Sequence, residues 1–227
     1  MTSAENFAQD KMMRLLSQGD TIPEKERSTI LEEMADYLGL DHEEVKLANG
    51  RLPFWHYAKM LLKKEQMVIG FYDSSVKALN PFPDREGLPY PDPSLAGPER
   101  LFASGINAHI RHYLKLDTER EYHLLSHEVN HAWKMEETHA FNRQVGATDE
   151  LRFGMALNPH MKIIIVHGNH DMVTPYFASK RLVSQMRLTP EQKKKISLKN
   201  FNGGHMFYTW EKSRQDFCTT IKKFVEE

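Results

Sequence analysis

Two short polar segments near the end of the chain carry side chains that can transfer protons. Residues 168–175 read Gly-Asn-His-Asp-Met-Val-Thr-Pro, and residues 203–206 read Gly-Gly-His-Met. A histidine activates a serine hydroxyl by taking its proton, and a carboxylate keeps that histidine in the required tautomer. We therefore interpret His205 as a candidate base and Asp171 as its carboxylate partner. The alternative is that Asp171 caps the next helix and that His205 is an ordinary loop residue.

Apolar runs precede both polar segments and predict the strands that position them. Residues 161–167 read Met-Lys-Ile-Ile-Ile-Val-His, and this β-branched run predicts a strand buried on both faces within a parallel sheet. Residues 196–201 predict a second strand. Because two strands alone leave open edges, the sheet needs additional strands: residues 67–72 can provide one, and a second chain can provide the rest.

Helical patterns surround these strands. A helix from Thr174, as its N-cap, to about residue 187 and a closing helix at 208–226 complete the order strand, helix, strand, helix, which favours a right-handed parallel crossover. Six prolines between residues 81 and 98 predict an extended surface excursion. The other segments with apolar residues at helical spacing are 4–19, 23–39, 41–50, 53–64, 99–115, 120–133 and 147–157.

Composition and charge argue against several classes of function. The 227 residues include 30 basic and 31 acidic side chains spread along the chain, which argues against binding to nucleic acid or an anionic membrane. There is no signal-peptide pattern at the N-terminus and no apolar run that approaches the roughly 18 residues of a membrane span. The single cysteine, Cys218, excludes an intrachain disulfide. These features favour a cytoplasmic location for the chain as given.

A second motif suggests a different chemistry. His127-Glu-Val-Asn-His131 spells the zinc-peptidase pattern His-Glu-x-x-His. On a helix the two imidazoles share one face and bind zinc, Glu128 activates the metal-bound water, and Glu150 or His139 is a possible third ligand. The chain has 12 histidines, so a chance match is expected in roughly a few chains per hundred. We therefore keep zinc as an alternative and expect neither metal nor cofactor.

The two polar segments resemble those of the serine carboxypeptidase family, peptidase family S10, particularly its bacterial branch. The other similar pieces are Gly70-Phe-Tyr-Asp-Ser74, Pro91-Asp-Pro-Ser94, Val129-Asn-His-Ala-Trp133 and Asn158-Pro-His-Met-Lys162. The resemblance covers nearly the whole chain and implies the C-terminal part of an α/β-hydrolase fold. It divides the chain into a mostly helical cap with the proline-rich excursion at 1–157 and an α/β segment at 158–227. In α/β-hydrolases the triad follows the order Ser, Asp, His, and Asp171 and His205 fit its last two places.

The resemblance implies a serine carboxypeptidase that hydrolyses C-terminal peptide bonds by acyl transfer, with Met206 beside the leaving-group pocket. The chain has no Gly-x-Ser-x-Gly nucleophile elbow, and Ser74, Ser75 and Ser104 lack the flanking glycines. We therefore expect the chain to be inactive alone and to act on peptides when a serine-bearing N-terminal half completes it. The alternatives are a truncated, non-catalytic remnant that oligomerises and the zinc peptidase. A homodimer or a hetero-complex is expected, because strand edges and cap surface otherwise face water.

Overall fold

The computed structural model describes residues 2–87, 91–133 and 147–226, and these residues form a mixed α/β structure. The described strands make two separate two-stranded sheets, one antiparallel and one parallel. The helices that precede the first strand are α1 (Thr2–Phe7), α2 (Met13–Gln18), α3 (Glu24–Leu38), α4 (His42–Leu47) and α5 (Phe54–Met60). A π-helical turn at Ala8–Met12 joins α1 to α2. The predicted helices in this part of the chain are confirmed.

The first four helices pack around their own apolar core, and we call them the helical cluster. Gly39 ends α3 in the left-handed conformation with φ of 66°, and Asp41 begins α4 by accepting the Glu43 N–H at 3.0 Å. Gly50 lies so close to this core that an added Cβ would stand 2.9 Å from Leu15. The buried apolar residues of the cluster are Phe7, Leu15, Ile22, Ile30, Leu31, Met34, Ala35 and Val45.

A small antiparallel sheet follows the helical cluster. Strand β1 (Met67–Ile69) pairs with β2 (Lys77–Leu79). Residues 67–72 were expected to add a strand to the parallel sheet, and this prediction is wrong because β1 pairs within its own hairpin. The predicted surface excursion is also wrong from residue 91 onward, since α6 (Pro93–Ala96) forms there and Ser94 is buried. Residues 88–90 of that excursion lie outside the described residues.

The middle of the chain packs loosely. It contains α7 (Pro98–Ala108), a π-helical turn at His109–Tyr113, α8 (His127–Ala132) and α9 (Thr148–Leu157). Helices were correctly predicted at 99–115 and 147–157, whereas the helix predicted at 120–133 begins only after Ser126. No side chain described between residues 95 and 133 is buried. Among the described helices, none is long and apolar enough to cross a membrane.

The predicted parallel strands form at the end of the chain. Strand β3 (Ile163–Gly168) pairs with β4 (Ile196–Phe201) in parallel. Helices α10 (Tyr176–Gln185) and α11 (Pro190–Lys193) connect the strands, and α12 (Glu211–Glu226) closes the chain. We call residues 163–226 the parallel unit.

Both faces of the parallel unit carry helices, but the sheet is incompletely covered. Ile163 and Ile196 pack with the buried Met155 and Met186 on one face. On the other face, the rings of Phe201, Phe207 and Phe217 contact one another. Strand β3 was expected to be buried, yet its apolar side chains at positions 163–166 are only half-buried. The prediction fails because, within the described residues, β4 is the only strand beside β3.

The accessible surface of the chain is large for its mass. The chain exposes 16484 Å², whereas a monomeric globular protein of 26.5 kDa is expected to expose about 10,700 Å². The 18 residues outside the described ranges account for at most about 3,000 Å², the surface of an unfolded chain of that length. The remaining excess of about 2,800 Å² is larger than the roughly 800 Å² that each partner buries in a standard interface.

Candidate functional site

The structure brings the two predicted proton-transfer residues together. Asp171 follows β3, His205 follows β4, and the carboxyl ends of parallel strands meet at one edge of the sheet. The His205 Nδ1 atom lies 2.8 Å from Asp171 Oδ2. The parallel register therefore places a carboxylate and an imidazole in direct hydrogen-bond contact although they are 34 residues apart in sequence.

The Asp171 carboxylate is buried and accepts hydrogen bonds at both oxygens. Its Oδ1 accepts the backbone N–H groups of Val173 and Thr174, each at 2.9 Å. Its Oδ2 accepts the Thr174 hydroxyl at 2.6 Å in addition to the His205 ring. Burial by itself raises the pKa of this carboxyl, but the hydrogen bonds from Thr174 and His205 outweigh burial and hold the pKa below its ordinary value. Asp171 is therefore an ionised, fully engaged acceptor.

Thr174 has a different role from the one predicted. The residue that precedes α10 in the N-cap position is Pro175, which makes no side-chain cap. The Thr174 hydroxyl instead donates to Asp171 and lies 3.1 Å from His205 Nδ1. Nor does Asp171 act as a simple helix cap, because it also receives the imidazole of His205. A sequence pattern cannot distinguish these roles, since both place a polar side chain just before a helix.

The contact with Asp171 defines how His205 can act. Since an ionised carboxylate only accepts hydrogen bonds, the Nδ1 atom of His205 carries the proton. In the neutral ring this leaves the lone pair on Nε2, which is the arrangement of a general base. The His205 side chain remains 40% exposed, whereas that of Asp171 is 3% exposed. The carboxylate is thus shielded while the imidazole is accessible to a reaction partner.

Glycines allow three backbone segments to meet at this pair. A Cβ on Gly168, at the end of β3, would stand 1.9 Å from the Gly204 carbonyl oxygen. A Cβ on Gly204 would stand 1.9 Å from the Tyr72 carbonyl oxygen. Gly203 has a φ of 111°, which side-chain-bearing residues rarely adopt. Gly203 therefore permits the turn before His205, while Gly204 permits close packing against Tyr72 and Asp73, a segment about 130 residues earlier in the chain.

That packed segment, residues 70–75, bridges the two loops, and we call it the bridging segment. Towards the Asp171 loop, the Ser74 N–H donates to the His170 carbonyl at 2.9 Å and Phe71 C=O accepts the Met172 N–H at 3.0 Å. Towards the His205 loop, Tyr72 C=O accepts the His205 N–H, and Asp73 Oδ2 accepts the Gly204 N–H at 3.0 Å. The Tyr72 ring also meets the imidazole edge to face at 5.2 Å.

Asp92 and Ser94, at the start of α6, hold the bridging segment in turn. Asp92 Oδ2 accepts the N–H groups of Phe71 at 2.8 Å and Tyr72 at 3.0 Å. The Ser94 hydroxyl accepts the Asp73 N–H at 3.2 Å. Sequence reasoning missed Asp73 and Asp92 as parts of the site, although both lie in motifs that carry the family resemblance. Their partners are 20 to 131 residues away, so no local spacing indicates the contacts.

The remaining expected groups are not assembled into a complete hydrolase site. Met206, predicted beside a leaving-group pocket, is half-buried, and its carbonyl accepts the Thr209 N–H at 2.9 Å. A surface cavity between β4 and α12 is lined by Phe201, Trp210 and Ser213, among others, and contains none of Asp171, His205 or Met206. Among the described residues, no serine hydroxyl is hydrogen-bonded to His205.

The three serines considered as replacement nucleophiles, Ser74, Ser75 and Ser104, have hydroxyl groups that do not hydrogen-bond to His205 in the described structure. The Ser75 hydroxyl donates to Asp73 Oδ1 at 2.5 Å, and Ser74 contributes its backbone N–H to His170. Ser104 is exposed on α7. None of the three occupies a strand-to-helix turn of the kind that presents the nucleophilic serine of an α/β-hydrolase.

The zinc motif lies where a helix was expected. His127, Glu128 and His131 all fall within the bounds of α8, so the motif lies on a helix. Within the described part of the chain, no three His, Cys, Asp or Glu side chains are grouped to hold a metal ion. Glu150 lies exposed on α9, and His139 lies outside the described residues.

Comparisons with known proteins add no assignment to this geometry. No protein-family model matches the chain, and no curated protein or solved structure matches it. The Asp171–His205 pair and the motifs around it are therefore the features that indicate a function.

Proposed function

We propose that this chain supplies the acid–base part of a serine hydrolase whose nucleophilic serine lies on another polypeptide segment. The observation that carries the proposal is the 2.8 Å contact between His205 Nδ1 and the buried Asp171 carboxylate. This contact leaves Nε2 as the basic nitrogen of an accessible imidazole. A base in this state accelerates acyl transfer once a hydroxyl lies within hydrogen-bond reach.

The surroundings of the pair support an additional segment. The Ile163 N–H donates to Lys195 C=O and the Asn169 N–H donates to Phe201 C=O, so odd-numbered residues of β3 face β4. In a parallel pair the intervening residues direct their backbone groups to the other edge. Ile164 and Val166 therefore present N–H and C=O groups to a further strand.

Unpaired polar atoms lie at the same end of the sheet. His167 Nε2 and Asn169 Oδ1 are buried without a hydrogen-bond partner in the described residues. Buried polar atoms are normally paired, so this end of the sheet lacks hydrogen-bond partners that a finished fold usually provides. The excess accessible surface points in the same direction, since a completing segment would cover it.

The proposed substrate is a peptide cleaved at its C-terminal bond. This finer assignment follows from the resemblance to serine carboxypeptidases, in which the helical region forms a cap over the substrate. In this chain the cap contribution includes the bridging segment, which contacts both the Asp171 and the His205 loops. Peptide side-chain preference would be determined mainly by residues of the serine-bearing segment.

The test uses a fluorophosphonate probe, which modifies only an activated serine, followed by intact-mass analysis. The chain is treated alone and after mixing with the polypeptide encoded directly upstream. We expect no adduct on the chain itself and one adduct on the added polypeptide. The His205→Gln variant should reduce the labelling rate by about a thousandfold, within the range that a positioned general base contributes.

A matched control is His160→Gln, which changes an exposed histidine in the loop before β3. This variant should label at the wild-type rate. An adduct on the chain alone would show that it carries its own nucleophile and would contradict the proposal. Absence of labelling in every mixture would favour the non-catalytic, oligomerising alternative.

A further inference from the structure

Asp92 is 113 positions from His205 in sequence but is connected to it by a short series of hydrogen bonds. Its Oδ2 atom binds the N–H groups of Phe71 and Tyr72. The Tyr72 carbonyl then accepts the N–H of His205, and the Tyr72 ring contacts the imidazole. We propose that Asp92 is a positioning residue that holds His205 against Asp171 through the bridging segment. This inference rests on the proposed role of His205 as base.

The chemistry of Asp92 requires a carboxylate. Its second oxygen, Oδ1, accepts the backbone N–H of Ser94 at 2.8 Å and the Ser94 hydroxyl at 2.6 Å. Four donors therefore converge on one side chain, two at each oxygen. An asparagine accepts at a single oxygen and presents an amide NH₂ at the other, where it would face donors. The Asp92→Asn variant therefore loses the two hydrogen bonds at one of the side-chain oxygens but keeps the size of the side chain.

Asp73 provides a second, parallel connection. Its N–H is held by the Ser94 hydroxyl, and its Oδ2 accepts the N–H of Gly204, the residue before His205. The Asp73 side chain is buried, so its contact with Gly204 is shielded from water. Hydrogen bonds to a charged acceptor are stronger than those between neutral groups. Both connections lead from the start of α6 to the backbone at 204–205.

The positions of the contacts indicate why the ring depends on them. His205 is more exposed than Asp171, so little packing restrains the imidazole from the solvent side. Its backbone is fixed by the Tyr72 carbonyl, and its ring meets the edge of Tyr72. If the hydrogen bonds from the Phe71 and Tyr72 N–H groups to Asp92 are lost, the bridging segment is no longer held in place. The imidazole of His205 can then move away from the Asp171 carboxylate. The Nδ1–H tautomer then loses its specific stabilisation.

The competing explanation is that Asp92 only caps α6. The Asp92 side chain does accept the N–H of Ser94, as a helix cap would. Its backbone carbonyl also accepts the N–H groups of Leu95 and Ala96. A purely local role predicts that only the amides of α6 respond to its substitution. A positioning role predicts that the ring of His205 responds as well, although it makes no contact with Asp92.

The experiment measures the tautomer of His205 by ¹⁵N NMR of the imidazole ring in the isolated chain. The His205→Gln variant identifies the resonance, and spectra are taken at pH 9, where an imidazole is normally neutral. In the wild type we expect the Nδ1–H tautomer to dominate. In Asp92→Asn the ratio of Nδ1–H to Nε2–H should fall at least fivefold. The control is Asp41→Asn, the same substitution at the cap of α4, which should leave the ratio unchanged.

Two outcomes overturn the inference. In the first, Asp92→Asn leaves the His205 tautomer ratio unchanged while the amide hydrogens of Leu95 and Ala96 exchange faster with solvent. This result would show that Asp92 only caps α6. In the second, Asp41→Asn changes the His205 tautomer ratio as much as Asp92→Asn does. This result would show that the ratio responds to any loss of stability and not to Asp92 in particular. If Asp92→Asn fails to fold, Ser94→Ala removes the hydroxyl that donates to Asp92 Oδ1 and accepts the Asp73 N–H. This variant should lower the ratio only about twofold, because the contacts of Asp92 Oδ2 with Phe71 and Tyr72 remain.

The measurement needs no serine and no substrate, so its result is separate from that of the labelling test. If Asp92→Asn changes the His205 tautomer ratio but no mixture is labelled by the fluorophosphonate, the positioning role of Asp92 stands and the hydrolase proposal is wrong. Labelling with an unchanged tautomer would retain the hydrolase and reject Asp92 as a positioning residue.

Discussion

The helical cluster and the parallel unit are stabilised in different ways. The cluster buries eight apolar residues within the first 45 positions. The parallel unit contributes Met186 and Leu188 to a smaller core that it shares with Met155 of α9, and its most apolar strand stays half-buried. Its carboxyl edge is instead held by backbone hydrogen bonds and the buried Asp171 carboxylate. The difference indicates that the cluster buries its own apolar core, whereas the parallel unit leaves its strand β3 partly uncovered, as the proposed completing segment requires.

The largest expected effect comes from the core of the helical cluster. Leu31 is 4% exposed, so Leu31→Ala leaves a cavity and should lower the free energy of unfolding by about 3 to 4 kcal/mol. Urea denaturation followed by circular dichroism measures the loss. The comparison would fail if this truncation cost no more than the equivalent truncation in β3.

Gly204→Ala tests whether close backbone packing holds the parallel unit. The new Cβ would stand 1.9 Å from the Tyr72 carbonyl oxygen, so the backbone must move. We expect a loss of about 2 to 3 kcal/mol in the free energy of unfolding, typical of overpacking. Gly105→Ala is the matched control, because nothing lies within 4 Å of a Cβ at that position. Equal stability of the two variants would show that the close approach is unimportant.

Asp171→Asn tests the polar contribution and gives it a pH dependence. The asparagine keeps one acceptor but presents NH₂ to Thr174 and His205, so about 2 kcal/mol should be lost near neutral pH. The folded-state pKa of Asp171 is lowered, so its stabilising contribution is complete above the unfolded-state pKa of about 3.9 and is lost as pH falls through the lower folded-state pKa.

The measurement for this variant is urea denaturation from pH 7 down to pH 2. Wild type and Asp171→Asn should differ at the upper end and converge at the lower end. A difference that stays constant over the whole range would show that the carboxylate charge contributes nothing. Leu31→Ala should keep its deficit across the same range, which separates the two regions by mechanism.

The smallest effect is expected for Ile165→Ala in β3. Because this side chain is only half-buried, its truncation should cost about 1 kcal/mol in the isolated chain. In the complex with a serine-bearing polypeptide the same change should cost more, since the strand would then be covered. Thermal unfolding of the isolated chain and of the mixture measures both values. An equal cost in both states would contradict a neighbour at β3.

Local patterns predicted much of the parallel unit. The β-branched run at 161–167 and the segment at 196–201 correctly indicated two parallel strands, and the polar segments do follow the ends of these strands. The burial of β3 was wrong because burial depends on neighbours that the strand itself does not encode. The assignment of β1 to the same sheet was wrong because a hairpin with β2 competes for its backbone groups.

Long-range contacts explain the misses around the site. The prolines correctly indicated irregular backbone at residues 81–87 but gave no sign of α6. They also gave no sign that Asp92 would accept the N–H groups of Phe71 and Tyr72. Thr174 was assigned to a helix cap because hydroxyl residues before Pro are common caps, whereas its hydroxyl is taken by Asp171. Such choices depend on which acceptor the fold brings near, and a sequence pattern does not contain that information.

The bridging segment has a consequence for how the two polypeptides would meet. Because it connects the Asp171 and His205 loops within one chain, imidazole and carboxylate are already arranged before any encounter. Association then requires little internal rearrangement, and interfaces of that kind bind without large backbone movement. After mixing, the recovery of turnover should follow second-order kinetics, with a rate proportional to the concentration of the added polypeptide and no slow first-order phase.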